Sequence, residues 1–185
     1  AKAIRKSQSK GNHIVLGLAT GSSPIHLYEE LIRLHNEENL SFHNVYSFNL
    51  DEYYPMQPNA SQSYVQFMKE QLFDHIDIPE DQIHVPDGTL ELEEVEDYCK
   101  SYEAKIKDLG GLDIQVLGIG RTGHIGFNEP GSDMTSHTRL VRLDSITLQD
   151  AKDDFIDAES TPFRAITMGI NTIMKAKKIY IMAWG

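Results

Sequence analysis

Apolar runs of strand length alternate along this chain with longer stretches of helical period, and that order limits the fold more than any other feature. The runs are His13–Ala19, Val45–Asn49, Asp113–Gly118, a fourth near Ala165–Met168, and Ile179–Ala183. Helical period covers Pro24–Asn36, with proline in the first turn and Ile25, Tyr28, Leu31 and Ile32 on one face. It returns over Ser61–Phe73, over Leu92–Leu109 and in a short piece around Ile170–Lys175. Strand, helix, strand, helix predicts an α/β fold: a Rossmann-like, open, mostly parallel sheet with helices on both faces. No internal repeat or low-complexity linker interrupts the pattern, and 185 residues suit a single domain over 1–185 with one core, or a piece of a slightly larger one truncated at both ends.

Composition removes several classes of function. A formal net charge of -11 argues against nucleic acid, whose phosphate backbone needs a basic stripe. The acidic excess gathers between Glu80 and Glu103, where a solvated loop and helix face explain it. No apolar run approaches the roughly 20 residues that span a bilayer. The basic start, Ala1–Lys10, is not followed by the apolar stretch of a signal peptide. Cys99 is the only cysteine, so no internal disulfide can form, which fits a cytoplasmic location. None of this argues against a small anionic substrate, because a helix end can hold a phosphate whatever the overall charge.

In parallel sheets ligands sit beyond the carboxyl ends of the strands. Three runs here end in polar or glycine-rich segments that would open onto one rim. The first is Gly17-Leu-Ala-Thr-Gly-Ser-Ser-Pro24. Hydroxyls of Thr20, Ser22 and Ser23, the backbone at Gly21 and the free N–H groups of the next helix could cradle a phosphate; a tight turn with a serine cap reads equally well. It is not a Walker loop, because the lysine is missing, nor a dinucleotide fingerprint, because the glycine spacing is wrong.

The second segment is Phe48-Asn-Leu-Asp-Glu-Tyr-Tyr54. A carboxylate directly after a buried strand can abstract a proton beside a carbonyl if burial raises its pKa. Asp51 and Glu52 point to opposite sides of an extended chain, so they should not share a role, and spacing does not choose between them. The third is Leu117–Ser132, with Gly120, Thr122 and Gly123 leading to His124 and with Glu129 beyond. Its glycines permit a close approach of backbone, while His124 offers acid–base chemistry near neutral pH with Glu129 as the partner that orients it. No third ligand has metal-site spacing, so no metal is expected. Nor is there a nucleophile elbow, and Cys99 lies away from the rim.

Thr-Gly-Ser-Ser-Pro, Asn-Leu-Asp-Glu-Tyr and Gly-His-Ile-Gly-Phe-Asn-Glu-Pro, in this order, resemble the glucosamine-6-phosphate deaminase family from about His13 onward. Phe-Asn-Glu-Pro is the most specific part; the related 6-phosphogluconolactonases share the glycine turn and its histidine but continue differently. The resemblance implies conversion of glucosamine 6-phosphate and water to fructose 6-phosphate and ammonia, without a cofactor. It implies Asp51 as the base that takes the C2 proton and returns a proton at C1. His124 would open the pyranose ring with Glu129, and Gly21, Ser22 and Ser23 would hold the phosphate, with Thr20, Gly120, Thr122 and Gly123 also lining the substrate site.

Several positions depart from the family pattern. Thr122 stands where the family usually has an aspartate. Asp153, beside Lys152, stands where it has a phosphate-binding arginine, and a second phosphate-binding lysine should follow Trp184-Gly185. Val141 replaces a lysine that, with residues matching Ser132 and Arg139, serves allosteric activation in some members. The family also carries further chain at both ends, and its members range from monomers to homo-hexamers. Two alternatives stand beside the deaminase: a related phosphosugar isomerase or lactonase-like hydrolase, and a sugar-phosphate-binding module without catalysis.

Overall fold

In a computed structural model, which describes residues 1–151 and 162–183, strand β1 (Ile14–Leu18) is buried at all five positions. A strand can do this only when both of its faces are covered. Alternate residues show how. Ile14, Leu16 and Leu18 pack with Ile4 of α1 (Lys2–Gln8), with Tyr28 and Leu31 of α2 (Ile25–Glu38), and with Met68 of α3 (Tyr64–Gln71). Val15, pointing the other way, packs with Tyr102 and Ile106 of α4 (Val95–Asp108) and Ile173 of α6 (Ile170–Met174). The sheet has helices on both faces, as the alternation of runs predicts. No described helix is long and apolar enough to cross a membrane.

Five strands form this sheet in the order β4-β2-β1-β5-β8, and every pairing is parallel. They are β4 (Ile83–His84), β2 (Val45–Asn49), β1, β5 (Ile114–Gly118) and β8 (Ile179–Met182). Register runs from Ile14 opposite Val45 to Leu18 opposite Asn49, so β1 and β2 end side by side. The polar segments that follow them therefore start at the same level of one rim.

The run near Ala165 behaves differently from its expectation as a member of the parallel sheet. As β7 (Arg164–Thr167) it is the centre of a separate three-stranded antiparallel sheet, between β3 (Asp51–Tyr54) and β6 (Arg139–Arg142). Leu50 is the junction between the two sheets. Its N–H donates to the carbonyl of Leu18, and its own carbonyl accepts from Met168 N–H. The chain leaves the first sheet at Asn49 and enters the second at Asp51. An acid thus falls at the seam, where side chains of both sheets bury it. α1 was also not anticipated; the basic start folds as a helix because Ile4 reaches the core.

Candidate active site

The ends of β1, β2 and β5 open onto one cleft of about 400 Å³. Thr20, Gly21, Ser22 and Ser23 line it, as do Asp51, Gly120 and His124. Tyr53, Tyr64, Arg121, Phe127 and Thr147 complete much of the wall. The three segments singled out from sequence meet here.

The loop after β1 leads directly into α2, whose first turn contains no acidic residue. No acidic side chain in that turn competes with an anion for the positive dipole end. Tyr28 fixes the loop from below through a hydrogen bond from its hydroxyl to the carbonyl of Ala19. Tyr64 shares a hydrogen bond with Thr20 on the cleft side.

Asp51 and Glu52 are both buried, at 6% and 1% exposure, and they diverge as strand alternation requires. Asp51 lines the cleft; Glu52 turns away to the start of α3. There its Oε2 accepts N–H bonds from Tyr64 at 2.8 Å and Val65 at 3.1 Å, and its Oε1 accepts from Tyr53 at 2.9 Å. Burial pushes the Glu52 carboxyl up to about 7, against the pull of those amides. Burial, with the charge of Glu52 added, pushes Asp51 up to about 8. Three backbone donors favour the ionised form of Glu52.

The glycine-rich loop after β5 reverses tightly, with Gly120 N–H donating to His124 carbonyl and Gly123 N–H to Gly120 carbonyl. A Cβ at Gly120 would stand 2.1 Å from His124 Nε2, so only glycine leaves the imidazole room to lie over the turn. The same loop closes over Asp51, since a Cβ at Gly126 would reach within 3.1 Å of its Oδ2. Phe127 N–H donates to Thr167 Oγ1, and the Asn128 amide donates to the carbonyls of Ile125 and Met168. These bonds pin the loop to the end of β7.

His124 and Glu129 come together as their spacing suggested, with Nδ1 3.2 Å from Oε1. Thr122 joins them: its hydroxyl donates to Glu129 Oε2 at 2.6 Å and lies 2.9 Å from His124 Nδ1. A hydroxyl has one proton, and this one goes to Glu129. Towards the imidazole Thr122 can only accept, as can the carboxylate. Nδ1 therefore carries the proton of the neutral ring, and Nε2, above Gly120, is the free base.

Tyr64, Arg121 and Thr147 are not among the residues that the sequence pattern points to. Arg121 is the one guanidinium among the described residues of the cleft wall. Thr147 lies in α5 (Ser145–Ala151) and donates to Glu129 Oε1. Only the long-range packing of α5 brings it to the cleft. Ser132, Arg139 and Val141 are not among the cleft residues; Arg139 donates to Asn128 Oδ1 and supports the loop from behind. Lys152, Asp153, Trp184 and Gly185 lie outside the described residues. Among the described residues no group of three or more His, Cys, Asp or Glu side chains could hold a metal ion.

Comparison with known proteins gives the same direction. The family described as glucosamine-6-phosphate isomerases/6-phosphogluconolactonase matches residues 1–185. A glucosamine-6-phosphate deaminase of Clostridium perfringens is 46% identical over 185 residues, which cover all of this chain and 76% of that protein. A putative glucosamine-6-phosphate deaminase-like protein of Bacteroides thetaiotaomicron is 49% identical over the whole chain, which spans only 28% of that protein's length. The solved structure of a monomeric glucosamine-6-phosphate deaminase superimposes with a TM-score of 0.90 at 42% identity, covering 97% of this chain and 73% of the other.

Proposed function

The chain belongs to the glucosamine-6-phosphate isomerase/6-phosphogluconolactonase family, and from that premise we propose that it converts glucosamine 6-phosphate and water to fructose 6-phosphate and ammonia. One observation carries the proposal. A buried aspartate and a histidine, backed by Glu129 behind the cleft wall, line the same cleft as a hydroxyl-bearing helix N-terminus.

In this reading the phosphate sits on Thr20, Gly21, Ser22 and Ser23 at the start of α2, with Gly120, Thr122 and Gly123 shaping the sugar site. His124 Nε2 moves the proton of the anomeric hydroxyl, and the pyranose opens to an aldehyde. Asp51, ionised, then takes the C2 proton; electrons move to the carbonyl and an enolamine forms. Return of the proton to C1 gives a ketose imine, which water hydrolyses to fructose 6-phosphate and ammonia. Each step is a proton transfer, the opening of the hemiacetal, or the addition of water followed by loss of ammonia, so the reading requires no cofactor. Desolvation supports the choice of Asp51, because a carboxylate of raised pKa is the stronger base. We read residues 1–185 as one catalytic domain working in the cytoplasm on a small phosphosugar.

Ammonia release from glucosamine 6-phosphate, with Asp51→Asn beside the unaltered protein, tests this. Release that falls at least about 1000-fold in the variant is expected, as for loss of an essential general base. A folded, unaltered protein that binds the sugar phosphate yet releases no ammonia would replace the proposal with the non-catalytic binding module.

A further inference from the structure

Glu129 has a flexible side chain at 20% exposure, yet its usefulness to His124 depends on where one oxygen points. Thr122 holds Oε2, the oxygen that does not face the imidazole most closely. Oε1 is the atom 3.2 Å from His124 Nδ1, and Oε1 accepts the hydroxyl of Thr147. Two hydroxyls, one on each oxygen, fix the plane of the carboxylate; with one removed, it can turn about its last bond.

Thr147 is built for that contact. It is 6% exposed on α5, an element separate from the glycine loop. Asp144 sets the start of α5: its Oδ1 accepts Ile146 N–H and its carbonyl accepts Leu148 N–H, each at 2.8 Å. Leu148 then packs against the cluster of Tyr53, Phe127 and Leu143. A helical threonine commonly turns its hydroxyl back to a carbonyl of its own preceding turn. Here the hydroxyl reaches a carboxylate 18 positions earlier in the chain.

We propose that Thr147 is a positioning residue, which holds Glu129 Oε1 against His124 Nδ1 and so keeps Nε2 as the free base over the substrate. The proposal rests on the ring-opening role given above to His124 and Glu129. Thr147 acts only through Glu129.

Three variants test it by ammonia release. Thr147→Val removes the hydroxyl at nearly constant volume, Thr147→Ser keeps it, and Thr147→Val placed in Glu129→Gln tests whether the two act as a unit. Thr147→Val is expected to lower kcat about 10- to 100-fold, the effect of losing a hydrogen bond to a charged group, with KM within about twofold. Thr147→Ser should restore kcat to within about threefold. In the Glu129→Gln background the valine should add little, because its target is already gone. Imidazole 15N shifts supply a readout independent of turnover: His124 should be protonated mainly on Nδ1 in the unaltered protein and on a mixture of nitrogens in Thr147→Val.

Full activity in Thr147→Val, an equal fall in the serine variant, or additive losses with Glu129→Gln would each overturn the proposal. If Thr147→Val does not fold, Thr147→Ala against Thr147→Ser carries the same comparison. Should His124→Gln itself keep full ammonia release, the ring-opening reading fails, and the 15N shifts still decide what Thr147 does to the imidazole.

Discussion

Asp51 and His124 line one cleft but are made ready in opposite ways. Asp51 sits at the seam of two sheets, where burial and the neighbouring Glu52 charge push its carboxyl up to about 8. His124 sits on a glycine turn, 18% exposed, and its ring is set by Glu129 and Thr122. In the proposed reaction the first region would store reactivity as an unfavourable charge and the second as orientation. The difference teaches where each is vulnerable. Substitution at the seam should change stability and pH dependence as well as turnover, whereas substitution at the loop should change turnover and leave the fold intact.

The largest expected effect is on stability at the seam. Asp51 ionises less readily in the folded chain than in the unfolded one, so its charge opposes folding once it forms. That cost is absent below the ordinary value of 3.8, grows as pH rises and is complete above about 8. Asp51→Asn, which removes the ionisable carboxyl, should therefore stabilise the fold at pH 9 by on the order of 5 kcal/mol. The gain should shrink steadily towards pH 4, and urea melts at several pH values would show it. A gain independent of pH would break the contrast.

Next in size is a loop substitution. Gly120→Ala places a Cβ where His124 Nε2 now lies, and the imidazole must swing aside. A fall in kcat of about 10- to 100-fold is expected, comparable to misplacing a general acid–base group, with the melting temperature almost unchanged. A large loss of stability would mean that the turn, and not the imidazole, had absorbed the strain.

The smallest effect sharpens the seam itself. Glu52→Gln removes the negative neighbour that helps raise Asp51, so the ascending limb of the pH–rate profile should move to lower pH. Glu129→Gln should lower the plateau and leave that limb in place. Parallel profiles of the two variants make the comparison directly.

Much of this is legible in the sequence. β1 announces itself because a strand covered on both faces must be apolar almost throughout, and five buried residues in Ile14–Leu18 satisfy that rule; β8 is as apolar, yet Tyr180 and Ile181 are exposed at the sheet edge. The rim was legible for a topological reason, since parallel strands of matching register end together. Strand alternation also separated Asp51 from Glu52, although it could not say which one enters the cleft. The second sheet was not legible. Arg164–Thr167 is short, and whether it joins the parallel strands or pairs antiparallel with Asp51–Tyr54 depends on a partner more than 100 residues away. Glu52 as the acceptor for the start of α3, and Thr147 as the hydroxyl on Glu129, were hidden for the same cause.

By itself, then, the sequence determined the periodicities, the strand-end segments and the residue types able to do chemistry, because these are local properties of a chain. The tertiary structure alone decided which carboxylate faces the cleft, how strongly burial raises it, and which hydroxyls hold Glu129. Those depend on desolvation and on side-chain contacts between distant segments. Neither exists until the two sheets have met at Leu50.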